Sequence, residues 1–422
     1  MYFCGPMLYR IFKTIVGAAF RFYFRKITIV GQKNIPQSGP VLMLCNHPSS
    51  FMEAMLLACY QHRTLHFLVR GDMFEKKWLK PILTLTNQIP IYRRRDGFEK
   101  LRNNRSTFEY CYDILSENKA VLIFPEANTA MVRFLRPLQK GAARLALGTI
   151  LERPVDDLMV IPCGVNFKNV LHSGHDALVI FGEAISIRQF YQNHQNGQDQ
   201  LEKLTNLFTE KMEEVVLSIP EKVDSKIYDG LYDILMPDDI NKSKPMELHQ
   251  QHQAILQAIE KNSEELTLWL NAYTNLDRNV KALEFNYQTS FLNRSAHLIK
   301  LILCFILGLP GLFIYGVPLI LGTWFGFNKI KSKEFIPPVR LAVSILLVLI
   351  QIIVLFSIGL FYLPILTLVW MLLASLISLF LMIYFLQNAF EKKYTYSKSL
   401  HQEKRTRLNY RKKIVDCVNS YL

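Results

Sequence analysis

The chain contains no closely spaced pair of cysteines. Its seven cysteines are scattered and none belongs to a Cys-x-x-Cys motif, so the sequence supports neither a cysteine zinc site nor a disulfide framework. Most of them lie among apolar residues, where cysteine behaves as a small core side chain. We therefore expect the globular part of the chain to face a reducing compartment, the cytoplasm.

Charged residues are also scarce. They make up 20% of the 422 residues, half of the residues are hydrophobic, and 49 Lys and Arg stand against 35 Asp and Glu, a net charge of +14. This hydrophobicity excludes a disordered chain, and the length allows two or three domains. A basic excess suits nucleic acid or anionic lipid. Because the apolar residues are concentrated in one stretch, we expect anionic membrane lipids as partners and no nucleic acid.

Two long runs, 301–327 and 341–390, have no charge at all. The second run is too long for one crossing of about 20 residues. It has Pro364 near its middle, so it predicts two spans. The first run contains prolines and glycines, and it predicts either one kinked span or a tight helical hairpin.

Basic residues flank both runs. The intervening loop has four Lys or Arg between 329 and 340 against one Glu, and 391–413 contains nine against two acidic residues. By the positive-inside rule both segments are cytoplasmic. If they share that side with the basic N-terminal part, each run must enter and return, which favours two hairpins over three spans.

The N-terminus lacks the uninterrupted apolar core and the cleavage site of a signal peptide. Its apolar residues recur instead at helical spacing, with basic residues between them: Met7, Leu8, Ile11, Phe12, Ile15, Val16, Ala19 and Phe20. This pattern predicts an amphipathic helix over 1–26 that lies in the membrane interface. The alternative is a first helix packed on the globular core.

The remaining chain divides by composition. Residues 27–186 alternate helical stretches with short strand-like runs, which indicates an α/β domain with a central sheet. The predicted strands are Ile27–Val30, Val41–Cys45, Leu65–Val69, Ile89–Tyr92, Ala120–Phe124, Met159–Val165 and Leu178–Phe181. Residues 187–296 predict a helical accessory region whose sequence indicates no chemistry. Membrane hairpins over 297–390 and a basic cytoplasmic tail over 391–422 complete the predicted architecture.

Polar clusters follow several predicted strands, where α/β proteins place their active sites. The first is Asn46-His-Pro-Ser-Ser-Phe-Met-Glu53. Glu53 lies one turn into the next helix and can reach the His47 ring, where a carboxylate fixes the tautomer and stabilises the protonated imidazole. A histidine paired with a carboxylate in this way is a candidate general base.

Arginines mark two further clusters. Arg93, Arg94 and Arg95 directly follow the strand Ile89–Tyr92, and guanidinium groups suit a phosphorylated substrate. The alternative is a solvated loop. In the other cluster Phe124-Pro-Glu126 ends a buried strand and is followed by Arg133 and Arg136. A last strand, Val160-Ile-Pro162, is a weak signal by itself.

Together and in this order, these motifs resemble the glycerol-phosphate and lysophosphatidate acyltransferase family, which carries the phospholipid/glycerol acyltransferase domain. They are most similar to the branch with bacterial homologues and the fungal glycerol-3-phosphate/dihydroxyacetone-phosphate acyltransferases. The resemblance covers about residues 27–185. It implies that His47 is the general base, that Glu53 orients it, that Arg93 binds phosphate and that Glu126 belongs to the acceptor site.

Two residues depart from the family pattern. Five residues separate His47 from Glu53, where the commonest family spacing is four, and the acid is Glu instead of Asp. Ala127 replaces the Gly that is usual after Pro-Glu. If the turn there needs a positive φ, Ala strains it.

The resemblance implies a membrane-bound O-acyltransferase of phospholipid biosynthesis with its catalytic domain on the cytoplasmic face. The acceptor is glycerol-3-phosphate, dihydroxyacetone phosphate or 1-acyl-glycerol-3-phosphate, and the donor is acyl-CoA or acyl carrier protein. We expect no cofactor and no metal, because a thioester is already activated. The alternative is a non-catalytic membrane lipid-binding protein that retains the fold, and a His47 ring beyond the reach of Glu53 would favour it.

Overall fold

The computed structural model describes residues 4–77, 79–92, 104–194, 199–236, 240–288, 291–389 and 400–422. The chain forms two compact units. The N-terminal unit comprises 1–220 and 237–250, and the C-terminal unit comprises 221–236 and 251–422.

A mixed sheet lies at the centre of the N-terminal unit. Its strands are β1 (Ile27–Val30), β2 (Val41–Cys45), β3 (Leu65–Arg70), β4 (Gln88–Ile91), β5 (Ala120–Ile123), β6 (Met159–Phe167), β7 (Ala177–Phe181) and β8 (Ile185–Ser186). They are arranged in the order β1-β7-β6-β2-β5-β3-β4, with β8 beside β6. The seven strands predicted from the sequence are confirmed. The two-residue strand β8 was not predicted.

Strand direction places several polar turns at one edge of this sheet. Strands β6, β2, β5, β3 and β4 are parallel to one another, whereas β7 and β8 run antiparallel to β6, and β1 is parallel to β7. Every residue of β2, β5 and β7 is buried, as expected for a sheet covered on both faces. The carboxyl ends of β2, β5 and β4 therefore meet at one edge.

The helices of the N-terminal unit alternate with these strands, as the α/β prediction requires. They are α1 (Cys4–Tyr23), α2 (Met52–Tyr60), α3 (Lys80–Leu85), α4 (Asn104–Ser116), α5 (Gly141–Glu152), α6 (Ile187–Asn193) and α7 (Gln200–Glu213). The later helices are α8 (Ser225–Leu235), α9 (Pro245–Gln288), α10 (Phe291–Lys329), α11 (Ile336–Gly359), α12 (Ile365–Ala389) and α13 (Leu400–Asn419). The helical accessory region and the apolar helices are thus confirmed.

Helix α1 uses both of its faces. On one face Lys13 Nζ donates to the Gln61 carbonyl at 2.8 Å, and the Leu65 N–H donates to the Tyr9 hydroxyl at 3.3 Å. This face packs on the sheet domain, as the alternative prediction proposed. The other face exposes apolar side chains, Met7, Ile11, Phe12 and Phe22, which is the surface that an interfacial helix needs.

Within the part of the chain that the structure describes, three helices are long and apolar enough to cross a membrane: Ile299–Lys329, Lys333–Gly359 and Ile365–Met382. The structure corrects the expected hairpin over 301–327, because α10 runs as one helix through Pro310 and Pro318. A proline inside a helix removes one backbone hydrogen bond and kinks the helix without ending it. Of the two forms predicted for 301–327, the single kinked span is therefore compatible with the structure, and the hairpin is not.

Small residues set the distance between these helices. A Cβ on Gly311 would lie 2.2 Å from the Leu379 nitrogen, and a Cβ on Gly322 would lie 2.1 Å from the Ser344 hydroxyl. The Gly311 N–H donates to the Ser378 hydroxyl at 2.7 Å. Close backbone approach and hydroxyl hydrogen bonds are the usual basis of helix association in lipid.

Helix α13 returns to α9. Asn262 Nδ2 donates to the Tyr421 hydroxyl at 2.9 Å, and the Lys413 ammonium lies 5.6 Å from the centre of the Trp269 ring. Two helices that pack together in this way lie on the same side of a membrane. If the three apolar helices lie in a membrane, this packing predicts an even number of complete crossings between α9 and α13, and hence that one of the three helices does not cross completely.

This packing generates a topology prediction. In a variant without other cysteines, single cysteines at Glu264, Lys331 and Lys412 should react with an impermeant thiol reagent from one side of sealed vesicles. A cysteine at Tyr362, between α11 and α12, should react from the opposite side. Reaction of positions 264 and 412 from opposite sides would establish three complete crossings and contradict the packing of α13 on α9.

Candidate active site

The site begins with Asn46, which follows the last residue of β2. Its side chain is 6% exposed. Asn46 Nδ2 donates to the Val165 carbonyl at 3.1 Å, and the Val165 N–H donates to Asn46 Oδ1 at 2.8 Å. A buried amide needs such partners, and this pair fixes the chain immediately before His47 against β6.

The next residue, His47, is paired with Glu53 as the sequence predicts. His47 Nδ1 is hydrogen-bonded to Glu53 Oε1, and the Ser49 N–H donates to the same oxygen at 3.2 Å. The Glu53 side chain is fully buried, whereas that of His47 is 15% exposed. A carboxylate that accepts from Nδ1–H leaves Nε2 as the basic nitrogen.

The His47 ring is also held from one face. It stacks on the Phe124 ring at the end of β5, with the ring centres 3.9 Å apart and the planes at 13°. The Ala130 N–H donates to the His47 carbonyl at 3.3 Å. The imidazole therefore has one orientation, which a proton-transferring group requires.

Glu126 contacts the main chain of His47. The His47 N–H donates to Glu126 Oε2 at 3.0 Å, and the Arg136 N–H donates to Glu126 Oε1 at 3.1 Å. The Arg136 guanidinium donates to Glu126 Oε2 and to the Asn128 carbonyl. Glu126 is 5% exposed, so these charge-assisted bonds satisfy a buried carboxylate. The structure thus unites His47, Glu53, Glu126 and Arg136 in one network.

Ala127 has the conformation that the sequence analysis identified as a source of strain. Its φ is +62°, a region that L-residues other than Gly, Asn and Asp rarely occupy. The Ala127 N–H donates to the Phe124 carbonyl at 3.1 Å. This turn directs Glu126 towards His47, so the strain is stored at the site itself.

A segment that the sequence analysis did not assign to the site supports the loop after Glu126. Residues 215–219, which follow α7, are here called the strap. The Ile219 N–H donates to the Arg133 carbonyl at 2.6 Å, and the Leu135 N–H donates to Ser218 Oγ at 2.9 Å. The only feature of the sequence that could have indicated the strap is its short run of apolar residues.

The strap also binds the sheet. Asn166 of β6 donates to the Val215 carbonyl at 3.1 Å and accepts from the Leu217 N–H at 2.8 Å. A Cβ on Gly164 would lie 1.9 Å from the Val215 carbonyl oxygen, so only glycine permits this approach. Arg133 and Arg136 therefore lie on a loop held between β5 and the strap.

The predicted phosphate residues Arg93, Arg94 and Arg95 lie outside the described residues. The strand before them is described: β4 ends at Ile91, parallel to β3, which is parallel to β5. The end of β4 therefore faces the same sheet edge as His47. The Arg133 side chain is half-buried.

The thiols near the site are not nucleophiles. Burial raises the pKa of Cys45 well above its usual value, and Cys163, Glu53 and Glu126 raise it further by charge repulsion. Burial also raises the pKa of Cys163. Both thiols stay protonated at neutral pH. Within the described part of the chain, no three His, Cys, Asp or Glu residues are grouped so as to hold a metal ion.

The sequence model of the acyltransferase family matches residues 26–166, the segment that contains this network. This segment of the chain is therefore similar to acyltransferase domains. Glycerol-3-phosphate O-acyltransferase 1 of Saccharomyces cerevisiae is 27% identical over 111 residues, which are 25% of this chain and 15% of the yeast protein. A 1-acyl-sn-glycerol-3-phosphate acyltransferase of Chlamydomonas reinhardtii is 29% identical over 124 residues, 29% of this chain and 35% of the algal protein.

One solved structure completes the comparison. The 1-acyl-sn-glycerophosphate acyltransferase PlsC of Thermotoga maritima is 15% identical and aligns with 50% of this chain and 80% of its own, with a TM-score of 0.38. This chain spans well under half the length of the yeast and algal relatives that it matches.

The strained turn generates a stability prediction. Ala127→Gly should raise the free energy of unfolding by about 0.5–1 kcal/mol, because left-handed backbone costs other residues about 1–2 kcal/mol and the greater chain entropy of Gly offsets part of the gain. Thermal denaturation of the full chain in detergent measures the change. Ala18→Gly, at an exposed position of α1, is the control and should lose about 1 kcal/mol. A loss at position 127 as well would contradict the strain.

Proposed function

We propose that the protein is an O-acyltransferase that esterifies a hydroxyl of glycerol-3-phosphate, dihydroxyacetone phosphate or 1-acyl-glycerol-3-phosphate with the acyl chain of a thioester. The observation that carries the proposal is the pair of His47 with the buried Glu53 at the carboxyl end of β2. A non-catalytic lipid-binding protein has no need of an oriented basic nitrogen. A His47 ring beyond the reach of Glu53 would have favoured the alternative function, and the two side chains are hydrogen-bonded.

The reaction follows from this geometry. His47 Nε2 accepts the proton of the acceptor hydroxyl while the hydroxyl oxygen attacks the thioester carbonyl carbon. The new C–O bond forms, the C–S bond breaks, and the departing thiolate takes the proton from the imidazolium. Glu53 stabilises that imidazolium. General-base catalysis of this kind contributes about 10²–10⁴-fold to the rate.

Phosphate recognition is assigned to the arginines. Arg93, with Arg94 or Arg95, follows the carboxyl end of β4 and binds the acceptor phosphate through its planar guanidinium. Arg133, on the loop between β5 and the strap, is the second candidate. Arg136 donates to Glu126. Its contribution to acceptor binding is therefore indirect, because it holds Glu126 and the loop in place. The donor is acyl-CoA or an acyl carrier protein.

The apolar helices suit this chemistry. Donor and product carry acyl chains that partition into lipid, and anionic lipids favour the basic segments of the chain. We assign the acyltransferase domain to the cytoplasmic face of the membrane, where the positive-inside rule places the basic segments 329–340 and 391–413.

The first catalytic prediction concerns His47 and Glu53. With labelled acyl-CoA and each of the three acceptors in turn, the intact protein should form a labelled ester with at least one of them. His47→Ala should lower kcat by about 10²–10⁴-fold. Glu53→Gln should lower kcat with little change in the acceptor KM, because the lost charge acts on protonated His47.

The matched control for these variants is His62→Ala. His62 is an exposed histidine whose ring contacts the Pro36 carbonyl at 3.4 Å, and its replacement should leave the rate unchanged. Retention of more than about a tenth of the rate by a folded His47→Ala protein would remove general-base catalysis by His47. No ester with any acceptor would contradict the proposed activity.

The second catalytic prediction concerns Arg93. Arg93→Lys keeps the charge but loses the two-donor fork. The acceptor KM should rise roughly tenfold or more, since a hydrogen bond to a charged group contributes about 1.5–3 kcal/mol, while the donor KM should stay unchanged. The control is Arg105→Lys, because Arg105 is 89% exposed and pairs with Glu109. An unaffected acceptor KM, with normal turnover that depends on His47, would move the phosphate site to Arg133.

A further inference from the structure

Five basic residues outside the network just described gather at the same edge of the sheet. They lie on the segment after α1 and on the loop between β6 and β7, and we call them the cationic cluster: Arg25, Lys26, Lys168, His172 and His175. Arg25, Lys26 and His172 are exposed, and Lys168 and His175 are half-buried.

Strand geometry relates the cluster to the histidine. Strand β6 runs parallel to β2 and continues past its end. Val165 is hydrogen-bonded to Asn46, the neighbour of His47. Lys168 lies three residues further along the chain, which is about 10 Å at the rise of a strand. The cluster therefore lies at the sheet edge that carries His47, here called the catalytic edge, but separate from the His47 ring.

The backbone under the cluster is firmly held. The Gly174 N–H donates to the Tyr23 carbonyl at 2.8 Å, and the Arg25 N–H donates to the His175 carbonyl at 3.0 Å. The Tyr23 hydroxyl donates to the Val170 carbonyl at 2.6 Å. These bonds join the end of α1 to the β6–β7 loop, so cations that are far apart in sequence are presented on one fixed frame.

One carboxylate lies among these cations. Arg25 donates to both oxygens of Asp176, at 2.9 and 2.6 Å. Three permanent cations, Arg25, Lys26 and Lys168, thus face one carboxylate, and the local charge is +2 with both histidines neutral. The pKa of Asp176 is lowered: burial acts to raise it, but Arg25, Lys168 and Lys26 outweigh burial.

One of the two histidines of the cluster, His175, is subject to the charges of the same residues. The pKa of His175 is lowered, first by burial and then by His172, Arg25 and Lys168, against the opposite effect of Asp176. Because three permanent cations face one carboxylate, the potential at the cluster is positive although Asp176 is present. Such a potential attracts a multiply charged anion.

We propose that the cationic cluster binds the phosphate groups of a nucleotide-bearing acyl thioester, that is, a donor of the coenzyme A class. In such a donor a long flexible arm separates the phosphates from the thioester. Its phosphates therefore need a cationic site on the catalytic edge but away from the general base. The cluster has this position. It is not suited to the acceptor phosphate, because that phosphate is close to the reacting hydroxyl and must bind near the general base. This assignment rests on the proposed function.

The test measures binding without turnover. The full chain in a neutral detergent is titrated with coenzyme A and with dephospho-coenzyme A, which lacks one phosphate. The double variant Lys26→Gln/Lys168→Glu should weaken coenzyme A binding roughly tenfold, as loss of a hydrogen bond to a charged group implies. It should reduce the preference for coenzyme A over dephospho-coenzyme A. Added salt should weaken binding to the unmodified protein.

A matched control is available at the opposite edge. Lys33 is exposed and follows β1, which is parallel to β7 and therefore antiparallel to β6. Lys33→Glu changes the charge by −2, against −3 for the double variant, at a position away from the cluster. This control should leave the affinity for coenzyme A unchanged. The proposal would be overturned if Lys33→Glu weakened coenzyme A binding as much as the double variant does, or if the double variant left the affinity unchanged.

A second measurement separates the donor from a lipid headgroup. Binding of both variants to vesicles of phosphatidylcholine with and without phosphatidylglycerol is compared. Loss of binding to the anionic vesicles with unchanged affinity for coenzyme A would assign the cluster to lipid phosphate and overturn the donor site. Weaker binding of coenzyme A in a protein that transfers no acyl group would support the site and contradict the proposed function alone.

Discussion

The buried carboxylate of Glu126 holds together the two turns from which the site is built. It accepts hydrogen bonds from the His47 main chain and from Arg136, one on each side. A buried carboxylate is costly unless it is paired and hydrogen-bonded, so the turn after β2 and the loop after β5 must adopt the positions that supply its donors. The orientation of His47, its contact with Phe124 and the strained Ala127 all follow from this requirement.

Local pattern was sufficient to predict the sheet and the pair of His47 with Glu53. The strands are short apolar runs bounded by turn residues. Glu53 is six residues after His47 and lies in the first turn of the helix that follows, so its carboxylate can reach back to the His47 ring. The role of Arg136 could not be predicted in the same way. A sequence does not distinguish an arginine that binds substrate from one that binds a buried Glu126, because the contact depends on how two loops meet.

The strap and α10 show the same limit for longer distances. Residues 215–219 form a short apolar run after α7, and nothing local indicates that they bind Asn166 and the loop around Arg133. In α10 the prolines and glycines left a kinked span and a hairpin open, and the structure has one helix whose glycines closely approach α11 and α12. Tertiary contacts decided both cases, and they are not encoded by residue spacing.

The order of the two units along the chain has a consequence for biosynthesis. The last segment of the N-terminal unit, 237–250, precedes the first apolar helix, which begins at Ile299. All residues of the network around His47 therefore precede the three apolar helices and are synthesised before them. Since domains fold as units during synthesis, the sheet domain can close around Glu126 in water, and insertion of the later helices then tethers a finished domain to the bilayer.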